Sequence, residues 1–190
     1  MVIHRPKPPS SATSISQALQ ATLHNDTTVN IRPTGKGWRL SCVQWVGGSP
    51  EDVFPFFASP RNLERLTPPF LQFNIRRVTS DPIRTGTILD YTLQLHHVPV
   101  FWRTRIDEWK PPFTFVDRQQ LGPFRRWHHR HDFTKKDTGT VIRDTVNYEL
   151  YLGPLGRSPL FGWVHGDLQK IFAYRQEQVR VVFDSMGFGD

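Results

Sequence analysis

The sequence predicts an α+β domain in which a curved antiparallel sheet of about seven strands wraps around one long C-terminal helix. Three observations predict this class. Seven stretches alternate in polarity with the two-residue period of a strand. Short breaks rich in glycine and proline separate most of these stretches, which indicates hairpins. The last part of the chain repeats its apolar residues every 3.6 positions, as a helix lying on a sheet does.

The first strand and two short helices precede the other strands. Residues 39–46, RLSCVQWV, alternate as a strand. Ser49-Pro50 then places an N-cap residue before a proline at the first helical position, and Ser59-Pro60 repeats this signal ten residues later. The second helix is predicted at 61–66 and ends before a pair of prolines. Two short helices are therefore expected between the first and second strands.

Six further strands follow at hairpin spacing. Because each connection is short, neighbouring strands are expected to be antiparallel and to form a meander. The predicted strands span residues 71–79, 87–97, 100–109, 114–120, 124–135 and 140–151.

The last element is a long helix that is predicted to begin at Ser158-Pro159. One stripe is apolar, and polar residues, including Arg175, are assigned to the opposite face. Two early glycines weaken the first turns, so the helix is predicted either to be bent or to be fully formed only from about Asp167. The apolar stripe contains Leu160, Phe161, Val164, Leu168, Ile171, Phe172, Val179, Val182 and Phe183.

One amphipathic helix laid across a single curved sheet covers the apolar face of that sheet incompletely. The uncovered volume is expected to become a cavity, and the whole arrangement is a helix-grip architecture. The domain is predicted to span residues 38–186. Residues 1–37 are rich in serine and proline and poor in acidic residues, so they are predicted to be a flexible N-terminal tail.

One predicted hairpin carries the main functional signal. A tight turn at residues 136–139 has glycine at its last position, and counting back from it places His131 opposite Asp144. A one-residue slip would oppose His131 to a cation or a hydroxyl and would turn apolar residues toward water. A histidine opposite a carboxylate is expected to have a raised pKa and a fixed ring, whether it serves a function or is a satisfied polar pair at the sheet rim. The same register pairs Trp127 with Tyr148, His129 with Val146 and Phe133 with Ile142.

Polar and aromatic side chains are predicted to share the cavity wall. If the two carboxylates of this set point inward, they need histidine, arginine or tryptophan donors, because an unpaired buried carboxylate costs several kcal/mol. Ordinary core packing is the alternative for each aromatic residue. The predicted ligand-binding residues are Tyr91, Leu93, Trp102, Phe115, Asp117, Gln119, Trp127, His129, His131, Asp144, Tyr148, Leu168 and Phe172.

Composition excludes several functional classes. The formal net charge is +7, but lysine and arginine are dispersed and no nucleic-acid motif occurs, so no nucleic-acid partner is predicted. Contact with an anionic membrane surface stays open. Cys42 is the only cysteine, which excludes an internal disulfide and a cysteine-based zinc site. No apolar run is long enough to span a membrane and no secretory signal is evident, so a cytoplasmic location is expected.

Several stretches together resemble the START/SRPBCC superfamily, and within it a bacterial ligand-binding subgroup related to polyketide cyclases. The resemblance covers about residues 38–185 and implies a helix-grip fold whose members bind, transport or transform hydrophobic molecules. It implies no catalytic residues. The chain departs from the pattern at a hairpin tip, where His96-His97-Val98-Pro99 replaces the expected His-Gly-Val-Pro. The stretches that carry the resemblance are 54–73, 86–133, 139–156 and 167–179.

Three functions are consistent with these residues. The first is binding, with or without transport, of a hydrophobic molecule such as a lipid, an isoprenoid quinone or a polyketide, with no cofactor and no metal. The second is a cyclase or dehydratase that uses His131, Asp144 or His129 as general acid or base. The third is a metal site formed by His129, His131 and Asp144, since His128 points to the other face of its strand. The first is preferred because of the expected fold, the aromatic face of the cavity and the absence of a nucleophile motif.

Overall fold

Eight antiparallel strands form one sheet in the computed structural model, which describes residues 28–151 and 162–187. The predicted α+β helix-grip class is confirmed. The sheet has one strand more than expected, because the short β1 lies within the segment that was assigned to the tail. The other residues of that segment up to Thr27 lie outside the described residues. The strands are β1 (Asn30–Pro33), β2 (Trp38–Gly47), β3 (Asn74–Val78), β4 (Ile88–Leu95), β5 (Val98–Lys110), β6 (Thr114–Leu121), β7 (Arg126–Lys136) and β8 (Gly139–Glu149).

The strand order across the sheet is β1-β2-β8-β7-β6-β5-β4-β3. Strands β3 to β8 form the predicted meander, and β2 pairs with β8 on the far side of it. This pairing sets Cys42 opposite Asp144. Residues from both ends of the domain therefore meet in the same part of the sheet.

Two short helices lie between β2 and β3, as predicted: α1 (Pro50–Phe57) and α2 (Pro60–Arg65). Ser49 and Asp52 form a reciprocal capping box at the start of α1, which satisfies two backbone N–H groups there. A single 3-10 turn, Pro69–Leu71, leads into β3.

The long helix α3 spans Gly162–Ser185. Of the two alternatives for its first turns, a helix formed only from about Asp167 is wrong, because the helix already begins at Gly162 and Val164 is buried in the core. The predicted start at Ser158-Pro159 lies outside the described residues. Within residues 28–151 and 162–187, no helix is long and apolar enough to cross a membrane.

The register of the β7–β8 hairpin is the predicted one. His131 lies opposite Asp144, and Lys136 lies opposite Gly139 at the turn. A Cβ atom on Gly139 would lie 2.3 Å from the Val46 carbonyl oxygen and 2.4 Å from the Trp45 ring, so only glycine fits there. The turn and the alternation of side chains therefore fix the same register.

The core lies between the concave face of the sheet and α3. One buried cluster surrounds the first half of the helix and includes Leu168 and Phe172. A second cluster joins the end of the helix to α1 and includes Phe54 and Phe133. Gln176 links α3 to β2, since its Nε2 donates to the Val43 carbonyl at 3.3 Å. The helix is thereby held at one end of the sheet, and a cavity remains between the two layers.

Candidate functional site

A cavity of about 360 Å³ lies between the sheet, α3 and the two short helices. This volume is within the range of small-molecule pockets. Leu168 and Phe172 close it from the helix side, and Phe57 closes it from α1. The sheet provides the remaining wall through inward-facing residues of β4 to β7. The alternation of these strands places aromatic and aliphatic side chains at most inward positions and polar ones at Thr104, Asp117, His129 and His131.

One part of the wall is built from aromatic rings held in fixed positions. Trp102 stacks on Tyr91 with ring centroids 5.9 Å apart and meets Trp127 edge-on at 5.4 Å. Thr104 anchors the polar tips of two of these rings: its Oγ1 accepts from Trp102 Nε1 at 3.1 Å and lies 3.2 Å from the Tyr91 hydroxyl. Because their polar atoms are already bonded, these rings present mainly apolar surface to the cavity.

Beside these rings lies a polar region that consists of two histidines and two aspartates: the His129 ring centroid is 6.2 Å from that of Trp127, and Phe115 stacks on His131 at 4.0 Å. Asp117 on β6 lies opposite His129, and Asp144 on β8 lies opposite His131. His129 and His131 are two residues apart on β7, so both rings point inward, with centroids 3.8 Å apart. We call Asp117, His129, His131 and Asp144 the polar cluster.

Each ring nitrogen of the polar cluster faces a carboxylate oxygen. His131 Nδ1 lies 2.6 Å and His129 Nε2 lies 3.2 Å from Oδ1 of Asp144. His131 Nε2 and His129 Nδ1 lie 3.3 and 3.4 Å from Oδ2 of Asp117. The shortest of these, His131 to Asp144, is an ion-pair contact in which the ring N–H does not point along the line of a hydrogen bond. The two carboxylates therefore hold the two rings between them.

Two further residues border the polar cluster. Cys42 Sγ lies 3.8 Å from Asp144 Oδ2, and burial, followed by the nearby carboxylate, raises the pKa of this thiol, so it stays protonated. Arg175 on α3 lines the same cavity, and its guanidinium carbon lies 5.7 Å from the centre of the Phe57 ring. None of the described residues accepts a hydrogen bond from the buried Nε of Arg175. The cavity therefore holds a cation with an unsatisfied donor.

The charges of the polar cluster follow from burial and mutual contact. Burial works against charge on Asp144, but His131 and His129 hold the pKa of this carboxyl well below its usual range. The pKa of Asp117 is lowered against burial by the same two rings. Burial opposes a proton on His131 as well, yet Asp144 and Asp117 raise its pKa, whereas burial and the neighbouring His131 lower the pKa of His129. The two carboxylates therefore favour a proton on His131 over one on His129, and the Arg175 guanidinium helps to lower the pKa of both carboxyls.

Comparison with known proteins is informative at the level of structure. A START superfamily protein from Mycobacterium smegmatis is 14% identical, with a TM-score of 0.58 over 78% of this chain and 98% of that chain. The major latex-like protein 151 of Panax ginseng is 12% identical, with a TM-score of 0.54 over 74% and 94% of the two chains. A protein from Arthrobacter aurescens is 12% identical, with a TM-score of 0.61 over 82% and 91%. This chain has the START/SRPBCC helix-grip fold.

At such low identity these likenesses show the fold and nothing finer. No family model matches the sequence, and no curated protein matches it. The chemistry of this domain therefore has to be argued from its own side chains.

Most of the residues predicted to bind a ligand line the cavity. Three do not. Gln119 is used to close the β6–β7 turn, where its Nε2 donates to the Phe124 carbonyl at 2.6 Å. Asp144 lies behind the two histidines, and Tyr148 is packed beneath Trp127 in the core. The lining residues are Tyr91, Leu93, Trp102, Phe115, Asp117, Trp127, His129, His131, Leu168 and Phe172.

Sequence reasoning missed Arg175, which it assigned to the polar face of the helix. The signal was available, because Arg175 lies three residues after Phe172 and seven after Leu168, on the same stripe. A long side chain can lie along an apolar surface and still project its charge into a cavity. Phe124 and Ile171 were also missed as lining residues.

In the structure, the residues that could bind a metal ion differ from those predicted for the metal site. Asp117, His129 and His131 each offer a ligand atom, and these three atoms lie within 4.8 Å of one another. All three residues line the cavity, whereas Asp144 contacts the far side of both rings. Asp117 therefore takes the place that the sequence gave to Asp144.

Proposed function

We propose that this START-type domain binds a hydrophobic small molecule that has a flat, ring-containing body and one oxygen-bearing end. The observation that carries this proposal is a cavity with aromatic rings along one wall and a charged cluster with an unsatisfied arginine on another. Ligand pockets commonly combine apolar walls with a few converging polar groups. The START/SRPBCC fold, whose members generally take hydrophobic ligands, supports the same conclusion.

The aromatic wall favours rings over a flexible acyl chain. Tyr91, Trp102 and Trp127 present fixed faces and edges, and aromatic pairs add about 0.5–1.5 kcal/mol beyond the area that they bury. An acyl chain gains only the buried area and loses more conformational freedom on binding. Among lipids, isoprenoid quinones and polyketides, we therefore favour the ring-bearing classes.

The polar cluster favours an oxygen-bearing group at the other end of the ligand. The Arg175 Nε is a buried donor without a partner, so a carbonyl or phenolic oxygen that reaches it would satisfy it. Asp117, which lines the cavity, is an acceptor for a ligand hydroxyl. A flat ring with keto and phenolic groups can accept a hydrogen bond from Arg175 and donate one to Asp117.

Probe displacement tests this proposal. The protein is titrated with 1-anilinonaphthalene-8-sulfonate, and the bound probe is competed with a hydroxyanthraquinone, a short-chain isoprenoid quinone and palmitate. Ile171→Trp fills cavity space and should weaken probe binding at least tenfold, while Val181→Trp, on the exposed face of the same helix, should leave it unchanged. Ring compounds should compete better than palmitate. Equal binding by the two variants, or no competition by any compound, would reject the proposal.

General acid–base catalysis of a cyclisation or dehydration is a second candidate function. The observation that favours it is that His129 and His131 line the cavity and do not lie at its rim. A ring held by a carboxylate inside an apolar pocket is suited to proton transfer. His131→Gln should then abolish turnover of a competing polyketide while leaving its binding in place. Turnover that survives this substitution would exclude this role.

We also propose a membrane contact and a cellular location for this domain. The net charge of +7 and the exposed Val98 and Phe101 on the β4–β5 hairpin support peripheral contact with an anionic membrane. Co-sedimentation with vesicles that is indifferent to anionic lipid and to salt would contradict this contact. The free, buried Cys42 is compatible with a reducing cytoplasm.

A further inference from the structure

The polar cluster has more nitrogen–carboxylate contacts than two neutral histidines can satisfy. Four ring nitrogens of His129 and His131 face carboxylate oxygens at 2.6 to 3.4 Å. A neutral imidazole carries one N–H, so two neutral rings supply two donors for four contacts. If both N–H groups point to Asp144, the two remaining lone pairs point at Asp117 Oδ2. These lone pairs and the Asp117 carboxylate repel one another. A cation between Asp117 Oδ2 and the two ring nitrogens that face it would be coordinated by all three atoms.

The distances within the polar cluster are compatible with a coordination site. Charge-assisted N–H···O hydrogen bonds are about 2.7–2.9 Å long. Asp117 Oδ2 lies 3.3 Å from His131 Nε2, in hydrogen-bond geometry, and 3.4 Å from His129 Nδ1; both distances are longer than this range. Two ligand atoms bound to tetrahedral zinc at about 2.1 Å are about 3.4 Å apart, whereas right-angle octahedral positions at that bond length are about 3.0 Å apart. The observed separations agree with the tetrahedral arrangement.

Asp144 lies where a metal site needs a supporting carboxylate. Histidines that bind metals almost always donate their other ring N–H to a carboxylate, a carbonyl or a water, which fixes the ring and its tautomer. Asp144 Oδ1 contacts His129 Nε2 and His131 Nδ1, the two nitrogens that face away from Asp117. A divalent cation would also balance the two carboxylates when both rings are neutral.

We propose that Asp117 Oδ2, His129 Nδ1 and His131 Nε2 bind a divalent transition ion, Zn²⁺ in particular, with Asp144 as the carboxylate that orients both histidines. Imidazole nitrogen favours this class of ion over Mg²⁺ and Ca²⁺. All three ligand residues line the cavity, so the fourth coordination position faces its interior. A water or the oxygen-bearing end of a cavity ligand would occupy that position, as in metal sites that keep three protein ligands.

Metal titration of the full chain tests this site. The protein is stripped with a chelator and then titrated with Zn²⁺ by calorimetry, and with Co²⁺ by its visible ligand-field spectrum. We expect one ion per chain and the intense bands of tetrahedral Co²⁺. Asp117→Asn and His131→Gln should each weaken Zn²⁺ binding at least a hundredfold, and Asp144→Asn about ten- to a hundredfold through the lost support. The matched control is His128→Gln, because His128 lies on the opposite face of β7 and does not line the cavity; it should bind Zn²⁺ normally.

Zinc-edge X-ray absorption of the wild-type protein gives a second readout that needs no variant to fold. It should show two imidazole nitrogens and at least one oxygen at about 2.0–2.2 Å. A chain that binds no Zn²⁺, or one in which His128→Gln loses as much affinity as His131→Gln, would overturn the proposal. Zn²⁺ binding is measured without any cavity ligand, and probe binding can be measured in chelator. Failure of one proposal is therefore distinguishable from failure of the other.

Discussion

Replacing Asp144 by asparagine removes the charge on which the polar cluster depends while keeping the shape of the side chain. Asp144 contacts His131 at 2.6 Å and His129 at 3.2 Å. Breaking a buried ion pair costs about 3–5 kcal/mol when the partner charge stays behind. If His131 releases its proton, the loss of unfolding free energy is closer to that of one charge-assisted hydrogen bond, about 1.5–3 kcal/mol. The measured cost should therefore depend on pH.

The sign of this dependence follows from the direction of each pKa shift in the metal-free protein. The pKa of His131 is raised by folding, so its contribution to stability is complete below the ordinary value of 6.5 and is lost as pH rises through the folded value. The pKa of Asp144 is lowered, so its contribution is present above 3.8 and is lost as pH falls through the folded value. In Asp144→Asn the pKa of the folded His131 falls. Because the histidine of the unfolded chain then binds a proton more readily, acid favours the unfolded chain.

We expect Asp144→Asn to lower the free energy of unfolding by about 3–5 kcal/mol near pH 5.5 and by about 1.5–3 kcal/mol near pH 8.5. Urea unfolding followed by tryptophan fluorescence, with chelator present, measures both values. Asp132→Asn is the matched control, since Asp132 pairs with Arg130 at the surface of the same hairpin and should cost less than about 1 kcal/mol. Equal costs for the two variants, no pH dependence and an unchanged NMR titration of His131 would refute the reasoning.

Other substitutions test separate parts of the structure. Trp127→Ala should destabilise the domain by about 3–5 kcal/mol in denaturant unfolding, since it empties the space between two core rings. His97→Gly should raise the unfolding free energy by about 0.5–1 kcal/mol, because His97 adopts a φ of 68° at the β4–β5 turn; a loss would contradict this. Gly139→Ala should cost at least about 1–3 kcal/mol, because its Cβ would overlap the Val46 carbonyl. Arg175→Met should leave the melting temperature almost unchanged and weaken binding of the anionic probe about tenfold by fluorescence titration; unchanged binding would remove Arg175 from the ligand site.

The sheet and its register could be predicted because strong local signals agree. The alternation of side chains over residues 126–149 and the glycine at 139 each allow one register, and the structure has it. The order of β3 to β8 also follows from short connections, whereas the pairing of β2 with β8 was not predicted. β1 was missed because four mostly exposed residues have no apolar face to give a pattern.

The candidate site could be predicted only in part. Strand pairing places His131 opposite Asp144, but it does not determine which side of the ring faces the cavity. Asp117 lies on the cavity side of both rings and Asp144 lies behind them, and this difference depends on the curvature of the sheet and on χ angles. Arg175 was missed because a charged residue on a helix is usually read as solvent-facing, although its spacing matches the buried stripe.

Native mass spectrometry of the freshly purified full chain, followed by denaturing extraction, tests the central claim of a ligand-binding cavity most directly. Binding in the cavity predicts a stoichiometric small-molecule adduct that carries a ring and an oxygen-bearing group, is released on denaturation and is absent from Ile171→Trp. An adduct that persists in Ile171→Trp, or an acyl chain without a ring, would contradict the account. So would an empty protein that also fails to bind the naphthalene probe.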